Sequence, residues 1–147
     1  LPIAGTGRIL IMDDEEDITE AAASLLELLG YEVECTSGGA ETIKKYKAAQ
    51  DGGNHFDAVI VDLTVPGGMG GKVTAEKLLE LNPDAKIILS TGHGNDPVLA
   101  NYRQYGFKGF VRKPYTAVEI GRAVHNVLVR GGKKDNAEQD ENGEPMR

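Results

Sequence analysis

The chain has no tryptophan, a single cysteine, and aromatics at only 5% of its 147 residues. With Cys35 alone, no internal disulfide can form. A disulfide-stapled scaffold is therefore excluded, and a reducing, cytoplasmic location is expected. No apolar run approaches the roughly 18 residues a membrane-crossing helix needs, and no signal peptide stands at the start. Basic residues are in deficit, 16 Lys and Arg against 23 Asp and Glu, for a net charge of −7. Nucleic-acid phosphates select clustered positive charge, so no nucleic-acid or membrane partner is expected for this chain. What is present, 40% hydrophobic and 27% charged residues, suits one globular domain. The first residue is Leu1 and not Met, as expected of a fragment or a processed product.

The most telling stretch is Val59-Ile60-Val61-Asp62-Leu63. With Ala58 it makes a short apolar run rich in β-branched residues, which predicts a strand buried on both faces. It ends on Asp62 and a glycine-rich loop, Thr64 to Gly71. The same unit recurs along the chain. Residues 1–7 (LPIAGTG) are expected to be linker. Arg8 to Met12 predicts strand one, followed by five consecutive acids, Asp13 to Asp17. Ile18, Ala21, Ala22, Leu25, Leu26, Leu28 and Leu29 then fall at helical spacing, with Gly30 placed to end the helix. Tyr31 to Cys35 predicts an edge strand, with Cys35 expected as a small core residue. Ser37 is the expected N-cap of a helix to about Gln50. A third helix is expected over about Lys72 to Leu81, stopping before Asn82-Pro83. Lys86 to Ser90 predicts strand four, and Pro97 the first turn of a helix ending by Gly106. Gly109 to Arg112 predicts strand five. Thr116 should cap a last helix to about Val129. Residues 131–147 are nearly devoid of apolar side chains and predict a disordered polar tail.

Five βα units predict an α/β fold, a doubly wound five-stranded parallel sheet with helices on both faces. In such a sheet, ligands bind at the C-terminal ends of the strands. Those ends carry Asp13 and Asp14, Asp62, Thr91 and Lys113. Singly, each has a plain explanation: a helix cap, a turn, a loop hydroxyl, a surface lysine. Together on one edge they describe a site. Clustered carboxylates raise one another's pKa, and a divalent cation and a lysine relieve that repulsion. Asp oxygens suit Mg²⁺. A carboxylate beside a metal and a lysine can accept a phosphoryl group as an aspartyl phosphate.

The motifs ILIMDDEED, VIVDLTVP, ILSTG and GFVRKPY, in this order across about Arg8 to Val129, resemble response-regulator receiver domains of two-component signalling. The resemblance implies the flavodoxin-like strand order 2-1-3-4-5 and a receiver domain over residues 8–130. It implies phosphorylation of Asp62, and Mg²⁺ held by Asp14 directly, Asp13 mainly through water, and the Thr64 main-chain carbonyl. It further implies Thr91 as the switch hydroxyl, Phe110 as the switch aromatic, Lys113 as the phosphate-binding lysine, and a cis Lys113–Pro114 bond. Such a domain catalyses its own phosphorylation and dephosphorylation. Its expected partner is a sensor histidine kinase or a histidine phosphotransfer protein, and it is expected to be a monomer or weak dimer. The start of the chain, GRILIMDDEE and DLTVPGGMGG are similar to receivers of hybrid sensor histidine kinases, with a stand-alone regulator as the alternative. No output domain is expected in the polar tail. The family's loop after the phosphoacceptor usually reads Pro-x-Met-Asp-Gly. Here Pro66 to Gly71 is one residue longer and lacks the Asp, so a more mobile loop is expected. Gly92 replaces the usual Ala, and Phe110 lacks the hydroxyl of the commoner Tyr.

Three other classes fit parts of the pattern. A haloacid-dehalogenase-type enzyme would want Asp where Thr64 stands. A flavodoxin-like electron carrier would want a phosphate-binding loop where the five acids lie. A pseudo-receiver would have lost a site residue. His55, His93 and His125 lie on separate segments without ligand spacing.

Overall fold

The computed structural model describes residues 1–63, 69–92 and 97–130. Strands β1 (Arg8–Met12), β2 (Glu32–Thr36), β3 (Ala58–Asp62), β4 (Ile87–Thr91) and β5 (Gly109–Arg112) alternate with helices α1 (Glu16–Leu29), α2 (Gly39–Asp51), α3 (Gly71–Leu81), α4 (Pro97–Ala100) and α5 (Ala117–Arg130). All strand pairs are parallel, in the order β2-β1-β3-β4-β5. This is the expected α/β doubly wound sheet.

Strand alternation divides the core into two layers. Leu10, Met12, Val59, Val61, Ile87 and Leu89 pack with Tyr46 of α2, Ala75 and Leu78 of α3, and Leu99 of α4. Ile9, Ile11, Ala58, Ile60, Ile88 and Val111 pack with Ala22 and Leu26 of α1 and Ile120, Val124 and Val127 of α5. Every residue of β3 is buried, as its unbroken apolar run predicts.

Helix ends follow local chemistry. Gly30 closes α1 at φ 115°, a left-handed conformation that disfavours side chains. Thr116 and Glu119 cap α5 reciprocally: the Glu119 amide donates to Thr116 Oγ1 at 3.1 Å, and the Thr116 amide donates to Glu119 Oε1 at 3.3 Å. Residues 1–7 have no regular structure, yet the Gly5 amide donates to the Leu29 carbonyl and the Glu32 amide to the Gly7 carbonyl, each at 2.8 Å.

Several expectations are corrected. The fourth helix is a single turn, Pro97–Ala100, and a 3-10 turn over Tyr102–Tyr105 replaces the rest. Asn101 departs from helical geometry at φ −126°, ψ 36°, and Gly106 turns the chain out at φ 94°. Gly38, not Ser37, is the N-cap of α2, and Ser37 instead donates its amide to Glu41 Oε1 at 3.0 Å. The N-cap of α1 is Glu15, so the plain explanation of Asp13 and Asp14 as its caps, already set aside in favour of the site, does not hold. Ala21 and Leu28 lie on the solvent face of α1. Cys35 is exposed on the edge strand β2, with its thiol 3.9 Å from the Thr19 carbonyl of α1, and is not a core residue. The tail over residues 131–147 lies outside the described residues.

Candidate functional site

Continuing the strand alternation of the α1–α5 layer past its apolar residues places Asp13 after Ile11, Asp62 after Ile60, Ser90 after Ile88 and Lys113 after Val111. Four strand ends thus deliver polar groups to one face at the carboxyl edge of the sheet. The pairing register holds β3 against β4 at Asp62 and Ser90. The Lys113 amide donates to the Thr91 carbonyl at 2.9 Å, which ties the segment after β5 to the end of β4.

The side chains meet. Lys113 Nζ donates to Asp13 Oδ2 at 3.0 Å and to Asp62 Oδ1 at 3.1 Å. Glu15 Oε1 lies 3.7 Å from the same ammonium. Asp13 and Asp62 are 2% and 1% exposed, so two buried carboxylates share one partly buried cation. Asp13 Oδ1 also accepts the Glu15 amide at 2.9 Å, which orients its carboxylate. Asp14 is exposed at the rim, and carboxylate oxygens of Asp13, Asp14 and Asp62 come within 4.8 Å of one another.

One ammonium does not balance this charge. Burial, then repulsion from Asp13, pushes the Asp62 carboxyl up to about 6, against the pull of Lys113, and Asp14 adds to the rise. Burial by itself would lower the Lys113 ammonium. Its bond to Asp13 and the charge and bond of Asp62 outweigh that, and its net shift is upward. A cluster of hard oxygens with excess negative charge has the donor chemistry for a dication such as Mg²⁺.

The other expected residues sit nearby. Thr91 is buried at the end of β4. The register pairs Leu89 with Phe110 and Thr91 with Arg112, so Thr91 and Phe110 share the sheet face opposite Asp62. Phe110 is 38% exposed. Its ring meets Tyr102 edge-on at 5.1 Å between centroids, and the Arg112 guanidinium lies 5.6 Å from its centroid. The Lys113–Pro114 peptide is cis. Thr64, Pro66 to Gly68 and His93 lie outside the described residues. His55 stands apart from the site, near Asp57 at 3.6 Å.

A pair of hydroxyls not anticipated from the sequence adjoins the site. Ser90 Oγ and Tyr115 Oη share a hydrogen bond of 2.6 Å, immediately beside the acid cluster. The available signal was a serine closing an otherwise apolar strand run and a tyrosine two residues past Lys113.

The fold and this site define a class: a doubly wound α/β domain with an acidic pocket, closed by a lysine, at the carboxyl edge of its sheet. The chain belongs to the response regulator receiver domain family, whose model matches residues 9–125. It is 34% identical over 109 residues to the C4-dicarboxylate transport transcriptional regulatory protein DctD of Rhizobium meliloti, a match covering 74% of this chain but 22% of that protein. It is 30% identical over 122 residues to the chemotaxis protein CheY of Treponema pallidum, covering 82% of each. The chain thus spans about a fifth of the first relative and most of the second. A response regulator receiver domain protein from Clostridium thermocellum superposes with a TM-score of 0.71 at 30% identity, covering 84% of this chain and 95% of that one. Among the described residues, no helix is long and apolar enough to cross a membrane.

Proposed function

We propose that the chain is the phosphoacceptor of a two-component phosphorelay and takes a phosphoryl group from a phosphohistidine onto Asp62. The observation that carries this is the pairing of a buried Asp62 carboxylate with Lys113 Nζ at 3.1 Å, beside a second buried carboxylate. Asp62 closes β3 at the carboxyl edge of the sheet, the edge where ligands of such folds bind, and Lys113 engages its Oδ1, which leaves Oδ2 as the nucleophile. That oxygen attacks phosphorus while the bond from phosphorus to the imidazole nitrogen breaks. Lys113, kept charged by its two acid partners, stays beside the acceptor and offsets charge on the phosphoryl oxygens. Asp13, Asp14 and Asp62, with the Thr64 carbonyl, would hold Mg²⁺. When bound, the ion neutralises charge on the transferring group.

Phosphorylation makes Asp62 nearly dianionic. Thr91 then hydrogen-bonds the new group, the space it vacates admits Phe110, and the surface formed by α4, β5 and α5 changes. Support for this coupling comes from the common sheet face of Thr91 and Phe110 and from the half-open, edge-on seat of Phe110 against Tyr102. The upstream partner is a sensor histidine kinase or a histidine phosphotransfer protein. The domain works as a monomer or weak dimer, and the receiver of a hybrid sensor histidine kinase is the favoured parent.

Acetyl phosphate with and without Mg²⁺, followed by intact mass, tests this. Wild type should gain one phosphoryl group only with Mg²⁺, and Asp62→Asn should gain none. An adduct that persists in Asp62→Asn, or its absence from wild type, rejects the assignment.

A further inference from the structure

Ser90 interrupts the apolar composition of β4 and is 1% exposed. A buried hydroxyl needs a partner. Ser90 finds it in Tyr115, whose ring packs at the margin of the α1–α5 layer and whose hydroxyl lies 2.6 Å from Ser90 Oγ.

The placement of this bond matters more than its strength. Tyr115 stands two residues beyond Lys113. On the near side of that lysine, the Lys113 amide donates to the Thr91 carbonyl at 2.9 Å. On the far side, Tyr115 is bound to Ser90. The segment bearing Lys113 is therefore fastened to the last two residues of β4 by one bond on each side of the lysine. Ser90 is also fastened to the segment bearing Asp62. It is the register partner of Asp62, and its carbonyl accepts the Leu63 amide at 2.9 Å. One residue thus touches the strand end that carries the acceptor through its main chain, and the loop that carries the cation through its side chain. Lys113 has four rotatable side-chain bonds, and its reach to Asp13 and Asp62 is only as definite as the position of its Cα.

We propose that Ser90 and Tyr115 are a positioning pair that fixes the base of Lys113 relative to Asp62 and so sets the rate of phosphoryl acceptance. This rests on the phosphoacceptor reading of the site. Neither hydroxyl touches the reacting atoms, and both act through Lys113. Supporting contacts of this kind hold reacting groups to a fraction of an ångström, and misplacement by about 1 Å can cost up to about a hundredfold in rate.

A purely structural role gives a different pattern. Tyr115→Phe leaves the buried Ser90 hydroxyl, and Ser90→Ala the half-buried Tyr115 hydroxyl, without its partner, and each should destabilise the fold. The double variant removes both hydroxyls and should recover stability. If the pair positions Lys113, the rate does not recover with it. The test measures urea stability, Mg²⁺ affinity, phosphorylation rate with acetyl phosphate, and the Lys113 ammonium NMR cross-peak in the metal-free chain. Expected are a rate lowered about tenfold in both single variants and in the double variant, unchanged Mg²⁺ affinity, and a broadened Lys113 signal. Ser90→Thr, which keeps the hydroxyl, should restore both rate and signal. A double variant that is phosphorylated at the wild-type rate, or that keeps a sharp, unshifted Lys113 signal, overturns the proposal. If wild type itself takes no phosphoryl group, the phosphoacceptor reading fails, and the Lys113 signal still judges the pair.

Discussion

At residue scale, Asp62 is held in a charge state the fold opposes. Its carboxyl is raised from 3.8 to about 6, first by burial and then by Asp13, with Lys113 pulling the other way. Between those pH values the folded chain keeps a proton that the unfolded chain has released. Stability therefore falls as pH rises from about 4 to 6 and stays lowered above. In metal-free buffer, Asp62→Asn should escape this loss. Urea unfolding should place it above wild type at pH 7 by on the order of 1–3 kcal/mol, with the gap closing toward pH 4. A gap independent of pH would mean that Asp62 is not strained by its charge. Added Mg²⁺ should narrow the gap by stabilising wild type alone. The acids and Lys113 were legible in the sequence because parallel strands that start together end together, which makes the residue after each strand a neighbour of the others. Cys35 was not legible, because alternation along an edge strand says which residues share a face but not whether that face is covered. The bond from Ser90 to Tyr115 was equally hidden, since nothing local links two hydroxyls 25 positions apart.

At the scale of elements, the site depends on how closely α3 approaches β3. A Cβ at Gly71, the first residue of α3, would lie 2.4 Å from the Asp62 carbonyl oxygen and 2.8 Å from Leu63 Cα. Both are main-chain atoms, so one of the two elements must give way. Gly71→Ala should cost about 1–3 kcal/mol in urea unfolding and slow phosphorylation of Asp62, although no charge or hydrogen-bonding group is altered. An unchanged midpoint and rate would show that the turn relaxes freely. The strands and α1, α3 and α5 were legible to within about two residues, because apolar runs, Gly30 and Thr116 mark their ends. The fourth helix was not. Val98, Leu99, Tyr102 and Tyr105 have spacing a continuous helix would also satisfy, all four pack on the same core, and no proline or glycine stands at Asn101 to mark the break. Leu28 misled for a related reason: it is apolar but points away from both layers.

At the scale of the molecule, order of chain and order of sheet differ. β1 sits between β2 and β3, and β5 closes the far edge. The charge is uneven as well. Residues 1–63 hold 13 of the 23 acids but only 4 of the 16 basic residues, so the half bearing α1 and α2 is negative and should draw cations toward the pocket mouth. The two core layers share the same sheet, so neither can be lost alone, and a single cooperative transition is expected. In a urea titration, far-UV ellipticity and the ability to form the Asp62 adduct should vanish at one midpoint. An adduct that outlasts the ellipticity would mean that the pocket survives in a partly folded chain.

The contact between Lys113 and Asp13 spans 100 positions, and that between Lys113 and Asp62 spans 51. During synthesis both acids therefore leave the ribosome well before their lysine, and in the interval they are merely two mutually repelling charges. Only when the fifth strand arrives does the pocket exist. If Asp62 is the phosphoacceptor, a chain stalled or cut before that point is mute in signalling terms: it could neither take the mark nor waste a donor's phosphate. A phosphoryl group at Asp62 would thus also tell a partner that the domain bearing it was finished.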